Sequence, residues 1–241
     1  MTSGLRYWAV MPAAGAGRRF GGPIPKQYLE LCGRPVIDHS LEILIAHPAC
    51  AGCAVALSPD DEWWGTTAHA THPSVQRVAG GTERSDSVAN ALDALVGRAE
   101  DDDWVLVHDA ARPCLTRLDL DALLSRLDAE TVGALLAVPV HDTVKAAEDD
   151  RSYVRVRSTV PRQRLWRAYT PQAFPLGLLR RALEQSRDRG GAVTDDASAV
   201  EQLGLRPLLV AGRADNVKIT QPDDLSLAEF FLERQREQGL R

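Results

Sequence analysis

Short apolar runs alternate along the chain with stretches whose apolar residues recur every three or four positions. The runs cover residues 7–11, 53–57, 75–78, 104–107 and 134–138. Most are rich in Val and Leu, as strands buried on both faces of a parallel sheet are. Between them, Val36, Ile37, Ser40, Leu41, Leu44 and Ile45 trace one helical face, with Pro35 at its first turn and His47-Pro48 at its end. Val88, Ala91, Leu92, Leu95 and Val96 trace a second, with Thr82 or Ser85 as its cap. Leu120, Leu123, Leu124 and Leu127 give a third after Thr116, and Leu176, Leu179, Ala182 and Leu183 a fourth opened by Pro175. Thr194 is expected to cap a fifth, containing Ala199, Val200 and Leu203 and stopped at Gly204. Such alternation predicts an α/β fold: a mostly parallel twisted sheet with helices on both faces, in one domain over residues 1–241.

The alternation breaks over residues 141–160. Apolar and polar side chains alternate through Tyr153-Val-Arg-Val-Arg157, and Glu148-Asp-Asp-Arg-Ser152 supplies a polar turn. This predicts a protruding β-arm. A lone two-stranded ribbon is marginal in water, so the arm is expected to lie on its own sheet or to pair with another subunit.

Composition narrows the class. The 241 residues are 44% hydrophobic and 25% charged, which fits an ordinary globular domain. Lys plus Arg number 28 against 33 Asp plus Glu, a net charge of −5, which argues against nucleic acid as a partner but leaves room for a local basic pocket. No apolar run approaches the roughly 18–20 residues a spanning helix needs, so no membrane is expected. Residues 7–16 do not read as a signal core, because Pro12 and Gly15 interrupt them and Arg18-Arg19 follow rather than precede. A cytoplasmic protein is the expectation. Of the four cysteines, Cys50 and Cys53 have metal or redox spacing, but Cys32 and Cys114 supply no second pair. A loop with a small buried thiol is expected there, and solvated loop histidines at His69 and His72.

Candidate chemistry begins after the first strand with Pro12-Ala13-Ala14-Gly15-Ala16-Gly17-Arg18-Arg19-Phe20, then Pro25-Lys26-Gln27. Small residues let backbone N–H groups approach phosphate oxygens, and ligands of open α/β sheets sit beyond the carboxyl ends of the strands. Phe20 stands where a dinucleotide fingerprint needs glycine, and Gly-Lys-Ser/Thr is absent. Arg18, Arg19 and Lys26 suit a triphosphate. A second constellation, Val105-Leu-Val-His108-Asp109-Ala-Ala-Arg112-Pro113, puts a carboxylate at the end of a strand on the same side. Asp109 reads either as a turn acid or as a Mg²⁺ ligand acting with phosphate oxygens. His108 reads as structural. Gly80-Gly81-Thr82-Glu83-Arg84, with Ser87, is a candidate nucleoside contact at a helix start. Asp142-Thr143 and Arg162 fall where the arm leaves and returns, and Asp215-Asn216-Val217-Lys218 is expected on a late strand. Taken singly, these read as surface charges.

The ordered set is more specific than its parts. The glycine loop with Arg19, Pro25-Lys-Gln-Tyr28, His108-Asp-Ala-Ala-Arg-Pro113, Asp142-Thr143, Thr170-Pro-Gln172, Thr194-Asp195 and Asp215-Asn-Val-Lys218 resembles the 2-C-methyl-D-erythritol 4-phosphate cytidylyltransferases of the non-mevalonate isoprenoid pathway, from about residue 9 to about residue 231. The resemblance implies a Rossmann-like nucleotidyltransferase fold and homodimers in which the arm reaches the other subunit's site. It implies CTP and 2-C-methyl-D-erythritol 4-phosphate as substrates and Mg²⁺ as cofactor. It matches Arg19 and Lys26 to transition-state cations and Asp109 to the metal ligand. It matches Pro12, Ala13, Ala14, Gly15, Gly17, Gly81, Ser87 and Ala110 to cytidine contacts, with Thr82 standing where an acid is common. It matches Arg162 and Lys218, with Thr143 nearby, to the residues that position the acceptor phosphate.

The implied chemistry suits the residues. A phosphate monoester is mostly a dianion near neutral pH and needs no general base. Positioning and cations then have to bring two anions together. A ribitol 5-phosphate cytidylyltransferase, a sugar nucleotidyltransferase using UTP or GTP, and a non-catalytic nucleotide-binding module remain as alternatives.

Overall fold

A computed structural model describes residues 4–15, 24–150, 153–190 and 193–241. In chain order the strands and helices are β1 (Tyr7–Pro12), β2 (Glu30–Leu31), β3 (Arg34–Pro35), α1 (Val36–Ile45), β4 (Cys50–Leu57), β5 (Val75–Ala79), α2 (Arg84–Asp93), β6 (Trp104–Val107), α3 (Arg117–Leu124), β7 (Ala134–Pro139), β8 (Val144–Asp150), β9 (Tyr153–Val160), β10 (Trp166–Pro175), α4 (Leu176–Asp188), α5 (Asp196–Glu201), β11 (Leu208–Ala211) and α6 (Asp223–Glu237). The expected alternation is therefore present.

Seven strands form one sheet in the order β11-β7-β10-β6-β1-β4-β5. Every neighbouring pair is parallel except those made by β10, which runs antiparallel to both β6 and β7. Two apolar layers cover the sheet. Tyr7, Met11, Val55, Leu57 and Leu106 pack with Ile37, Leu41 and Leu44 of α1 and Leu120 and Leu123 of α3. Val10, Ala54, Val105 and Val107 pack on the other face with Val88 and Leu92 of α2, Leu179 and Ala182 of α4 and Val200 of α5. Alternate residues of β1 and β6 thus feed opposite layers, as a strand's two-residue period requires. A third cluster joins Leu31, Val36, Ala111, Cys114 and Ile219 to Ala228 and Leu232 of α6.

The arm is a hairpin of β8 against β9, with Val144 opposite Val160 and Lys145 opposite Thr159. It does not lie on its own sheet. Tyr153, Val154 and Val156 are 69%, 75% and 64% exposed, far too open for a self-contained packing role.

Several local expectations are corrected. Thr116 caps α3 as expected, accepting from the Asp119 N–H. However, α2 begins after Glu83, whose N–H donates to Asp86 Oδ2, and α5 is capped by Asp195, which accepts from the Ser198 N–H. Cys50 lies in strand β4 rather than a loop, Cys53 is the small buried thiol expected, and all four thiols are free. His69 is buried rather than solvated, with Nδ1 2.7 Å from Asp38 Oδ1. Asp215–Lys218 is not a strand; β11 ends at Ala211, and the segment is tied down by the Ile219 N–H donating to the Ala111 carbonyl at 2.8 Å.

Candidate active site

A cavity of about 740 Å³ opens at the carboxyl ends of β1 and β6. Pro12, Ala13, Ala14, Gly15, Lys26, Gly81, Thr82, Ser87, Asp109, Ala110 and Lys218 line it, together with Gln27, Glu83, Arg84, Ala111 and Thr220. Nearly all the described residues singled out for nucleotide, metal and transition-state contacts thus converge. A second cavity, of about 550 Å³, lies between α2 and α4 and contains none of them. Gly17 and Arg19 lie outside the described residues. Thr143 and Arg162 are exposed at the root of the arm and do not line this chain's cavity.

The loop after β1 is fixed from two sides. The Ala13 N–H donates to the Ala56 carbonyl at 2.8 Å, which continues the β1–β4 ladder by one residue. Buried Gln27 donates through Nε2 to the Ala13 carbonyl at 2.8 Å and the Gly15 carbonyl at 3.4 Å. Across the cavity, Ser87 Oγ accepts from the Gly81 N–H at 3.0 Å and donates to the Glu83 carbonyl at 3.2 Å. Gly80 packs directly on the loop: a Cβ there would sit 2.3 Å from Ala14 Cβ. Only glycine lets the turn before α2 approach β1 this closely.

Lys26 begins a single 3₁₀ turn, and its Nζ donates to the Ile219 carbonyl at 2.8 Å. That bond joins it to the segment that carries Lys218. Lys218 Nζ lies 2.8 Å from Asp109 Oδ2. Arg84 Nε donates to Asp109 Oδ1 at 2.9 Å, and Arg112 Nε stands 3.5 Å from Oδ2. Burial by itself would raise the Asp109 carboxyl, but Arg84, Lys218 and Arg112 together hold it well below the usual carboxylate range. It is a permanent anion among cations. Arg112 is anchored by donating to the Asn216 carbonyl at 2.8 Å and by lying 4.5 Å above the Tyr169 ring.

His108 is structural, as its position in the sequence implies. The Thr170 hydroxyl accepts from the Asp109 N–H at 3.1 Å, so its proton points to His108 Nδ1, 3.0 Å away. That leaves Nε2 to donate to the Arg112 carbonyl at 3.1 Å. Burial pushes the His108 pKa down to about 4, so the ring is neutral.

Asp109 is the carboxylate here that could hold a divalent ion. It offers hard oxygen donors that stay ionised, and Mg²⁺ accepts one or two carboxylates with phosphate oxygens and water. Its neighbours must make room. Lys218, with 38% of its side chain exposed against 28% for Arg84 and 9% for Arg112, is the partner best placed to leave. The donor set thus fits a metal that arrives with phosphate.

Arg84 has no assigned role in the sequence pattern, although it closes the Gly80–Arg84 segment expected to contact the nucleoside. The available signal was its place at the first turn of a helix, directly beyond the end of a strand. Gln27 and Thr220 had no role assigned to them either.

An open α/β sheet with a small-residue loop, Lys26, Lys218 and Asp109 at its carboxyl edge has the build of a nucleotidyltransferase. A profile of the 2-C-methyl-D-erythritol 4-phosphate cytidylyltransferases, IspD, matches residues 7–234. Enzymes of that name from Pseudomonas putida and Shewanella amazonensis are 53% and 50% identical to it over 220 and 229 residues. These alignments cover 91% and 95% of this chain and 92% and 94% of theirs. The Francisella tularensis IspD crystal structure superposes with a TM-score of 0.80 at 33% identity, covering 94% of this chain and 99% of that one. The chain belongs to the IspD family of 2-C-methyl-D-erythritol 4-phosphate cytidylyltransferases.

Proposed function

We propose that the protein transfers the cytidylyl group of CTP to 2-C-methyl-D-erythritol 4-phosphate in isoprenoid precursor biosynthesis. The products are pyrophosphate and 4-diphosphocytidyl-2-C-methyl-D-erythritol. The observation that carries this reading is the meeting of Lys26, Lys218, Arg84 and Asp109 under the small-residue loop, in a chain of this family.

Residues 12–15, Gly81, Ser87 and Ala110 cradle the nucleotide, and Thr82 stands at the cavity edge. Lys26, with Arg19, which lies outside the described residues, neutralises charge as the α-phosphorus becomes five-coordinate. Lys218 draws the acceptor phosphate toward that phosphorus, in line with the leaving pyrophosphate. The acceptor is already a dianion near neutral pH, so no side chain has to remove a proton. Asp109 would hold Mg²⁺, which when bound supplies further charge neutralisation on the phosphates. Arg162 and Thr143 are presented by the arm of a second subunit in a cytoplasmic homodimer. Support for that comes from the exposed apolar residues Tyr153, Val154 and Val156 on the hairpin.

The test is pyrophosphate release with CTP, UTP, GTP and ATP, each crossed with methylerythritol phosphate and ribitol 5-phosphate, with and without Mg²⁺. Release with CTP and methylerythritol phosphate that depends on Mg²⁺ is expected. Preference for ribitol 5-phosphate or another nucleotide would overturn the reading.

A further inference from the structure

Behind the cavity stands an acidic side chain that the transfer itself does not use; burial raises its pKa, and the Arg84 guanidinium opposes that rise. Asp196 opens α5 and is 0% exposed. Its Oδ2 lies 2.9 Å from Arg84 Nη2, and its Oδ1 has no hydrogen-bond partner among the described residues. Arg84 meanwhile gives Nε to Asp109 Oδ1 at 2.9 Å. One guanidinium thus spans two carboxylates, the second 112 positions away in the chain.

Stability does not account for this arrangement. A buried ion pair seldom outperforms apolar residues of the same volume, so a wholly buried carboxylate calls for another explanation. The surrounding bonds supply one. Gln172 of β10 donates through Nε2 to Asp195 Oδ2 at 2.8 Å and accepts through Oε1 from the Ala197 N–H at 2.8 Å. These two bonds pin the start of α5 to β10. Two residues earlier on the same strand, the Thr170 hydroxyl accepts from the Asp109 N–H. Asp196 and Asp109 are therefore both registered to β10, and Arg84 is stretched between them.

We propose that Asp196 is a positioning residue for the transfer: through Arg84 it fixes Asp109 Oδ1, leaving Oδ2 as the oxygen at which Lys218 and an incoming divalent cation exchange. This rests on reading the cavity as a cytidylyltransferase site. Without Asp196, Arg84 keeps one anion only and can turn both nitrogens of its fork onto Asp109, covering the oxygen that the metal needs.

Asp196→Asn keeps the shape and removes the charge. Mn²⁺ is the probe, with the free ion read by electron paramagnetic resonance in the presence of CTP, alongside steady-state kinetics and thermal melting. Mn²⁺ binding and kcat should each fall by about 10- to 100-fold, the range seen when outer partners of metal ligands are removed. The KM for CTP should stay within about twofold, since uniform nucleotide binding is untouched. Folded Asp196→Asn protein with wild-type Mn²⁺ affinity and kcat overturns the proposal. On an Arg84→Met background, Asp196→Asn should add nothing, because the path is already cut. A full further loss there overturns it too. Should the single Asn variant fail to fold, the double variant, which removes both charges together, is compared with Arg84→Met in its place. Wild-type protein that binds Mn²⁺ and CTP but releases no pyrophosphate would sink the functional reading, while the Mn²⁺ comparison would still decide the relay.

Discussion

Lys218 Nζ and Asp109 Oδ2 lie 2.8 Å apart, so the cation assigned to the acceptor phosphate rests on the carboxylate assigned to the metal. The pair must open before both can act. Lys218→Gln should therefore separate two effects. The KM for methylerythritol phosphate should rise and kcat should fall by about 10²-fold or more, as expected when a charge on the reacting phosphate is lost. Mn²⁺ affinity should be kept or improved, because a competitor for Asp109 is gone. Isothermal titration with Mn²⁺ and initial-rate kinetics check this. Metal affinity that drops with the lysine would show that the two are not rivals.

Gly80 sets how closely the turn before α2 approaches the glycine loop, since its missing Cβ would meet Ala14 Cβ at 2.3 Å. Gly80→Ala must push the glycine loop away from the turn before α2. CTP affinity measured by calorimetry should fall about tenfold, or about 1.4 kcal/mol. The KM for the acceptor should change far less. An unaltered CTP affinity would mean that the loop yields without cost.

His108 governs part of the acid sensitivity. Its folded pKa of about 4 lies below the ordinary value of 6.5, so the unfolded chain takes up a proton that the folded chain refuses. Its contribution is complete above pH 6.5 and is lost as the pH falls toward 4, a span worth about 3 kcal/mol. Tm should decline over that interval, and His108→Asn should flatten the decline. Equal slopes for the two proteins would remove His108 from the account.

If the arm completes the site of another subunit, two dead variants can rescue each other. Lys26→Ala breaks the cavity and Arg162→Ala breaks the arm, and each homodimer should lose kcat by about 10²-fold or more. Unfolded and refolded together, they form mixed dimers with one intact site of two. Recovery should approach about a quarter of wild-type activity at statistical mixing. No recovery, in mixtures shown by light scattering to be dimeric, would place Arg162 and Lys26 in one chain's site.

The parallel strands were legible because β1, β4, β6 and β7 are continuous apolar runs buried on both faces. β10 was not. Trp-Arg-Ala-Tyr-Thr-Pro-Gln-Ala-Phe-Pro has no clean period, and its pairing with β7 shifts register between Ala168 and Gln172, around Pro171. The break follows from what the strand carries. Thr170 and Gln172 turn polar groups toward Asp109 and α5, at the cost of apolar alternation. The same reason hid Arg84. In sequence it is an ordinary charge at a helix start, and only the fold brings Asp196 and Asp109 to its two sides. The caps misread at Thr82 or Ser85 and at Thr194 each lay within two residues of the true ones, where neighbouring polar side chains compete for one set of N–H groups.

β10 takes the chain from the arm straight into the middle of the sheet, where Gln172 faces Val107 and Thr170 holds the Asp109 backbone. The stem of the arm and the floor of the cavity are therefore carried by one strand. A one-residue change in the part of that strand paired with β6, Gln172–Pro175, would slide it past β6 and carry Thr170 off its mark. The position of Thr170 against Asp109 is set by the pairing of β10 with β6.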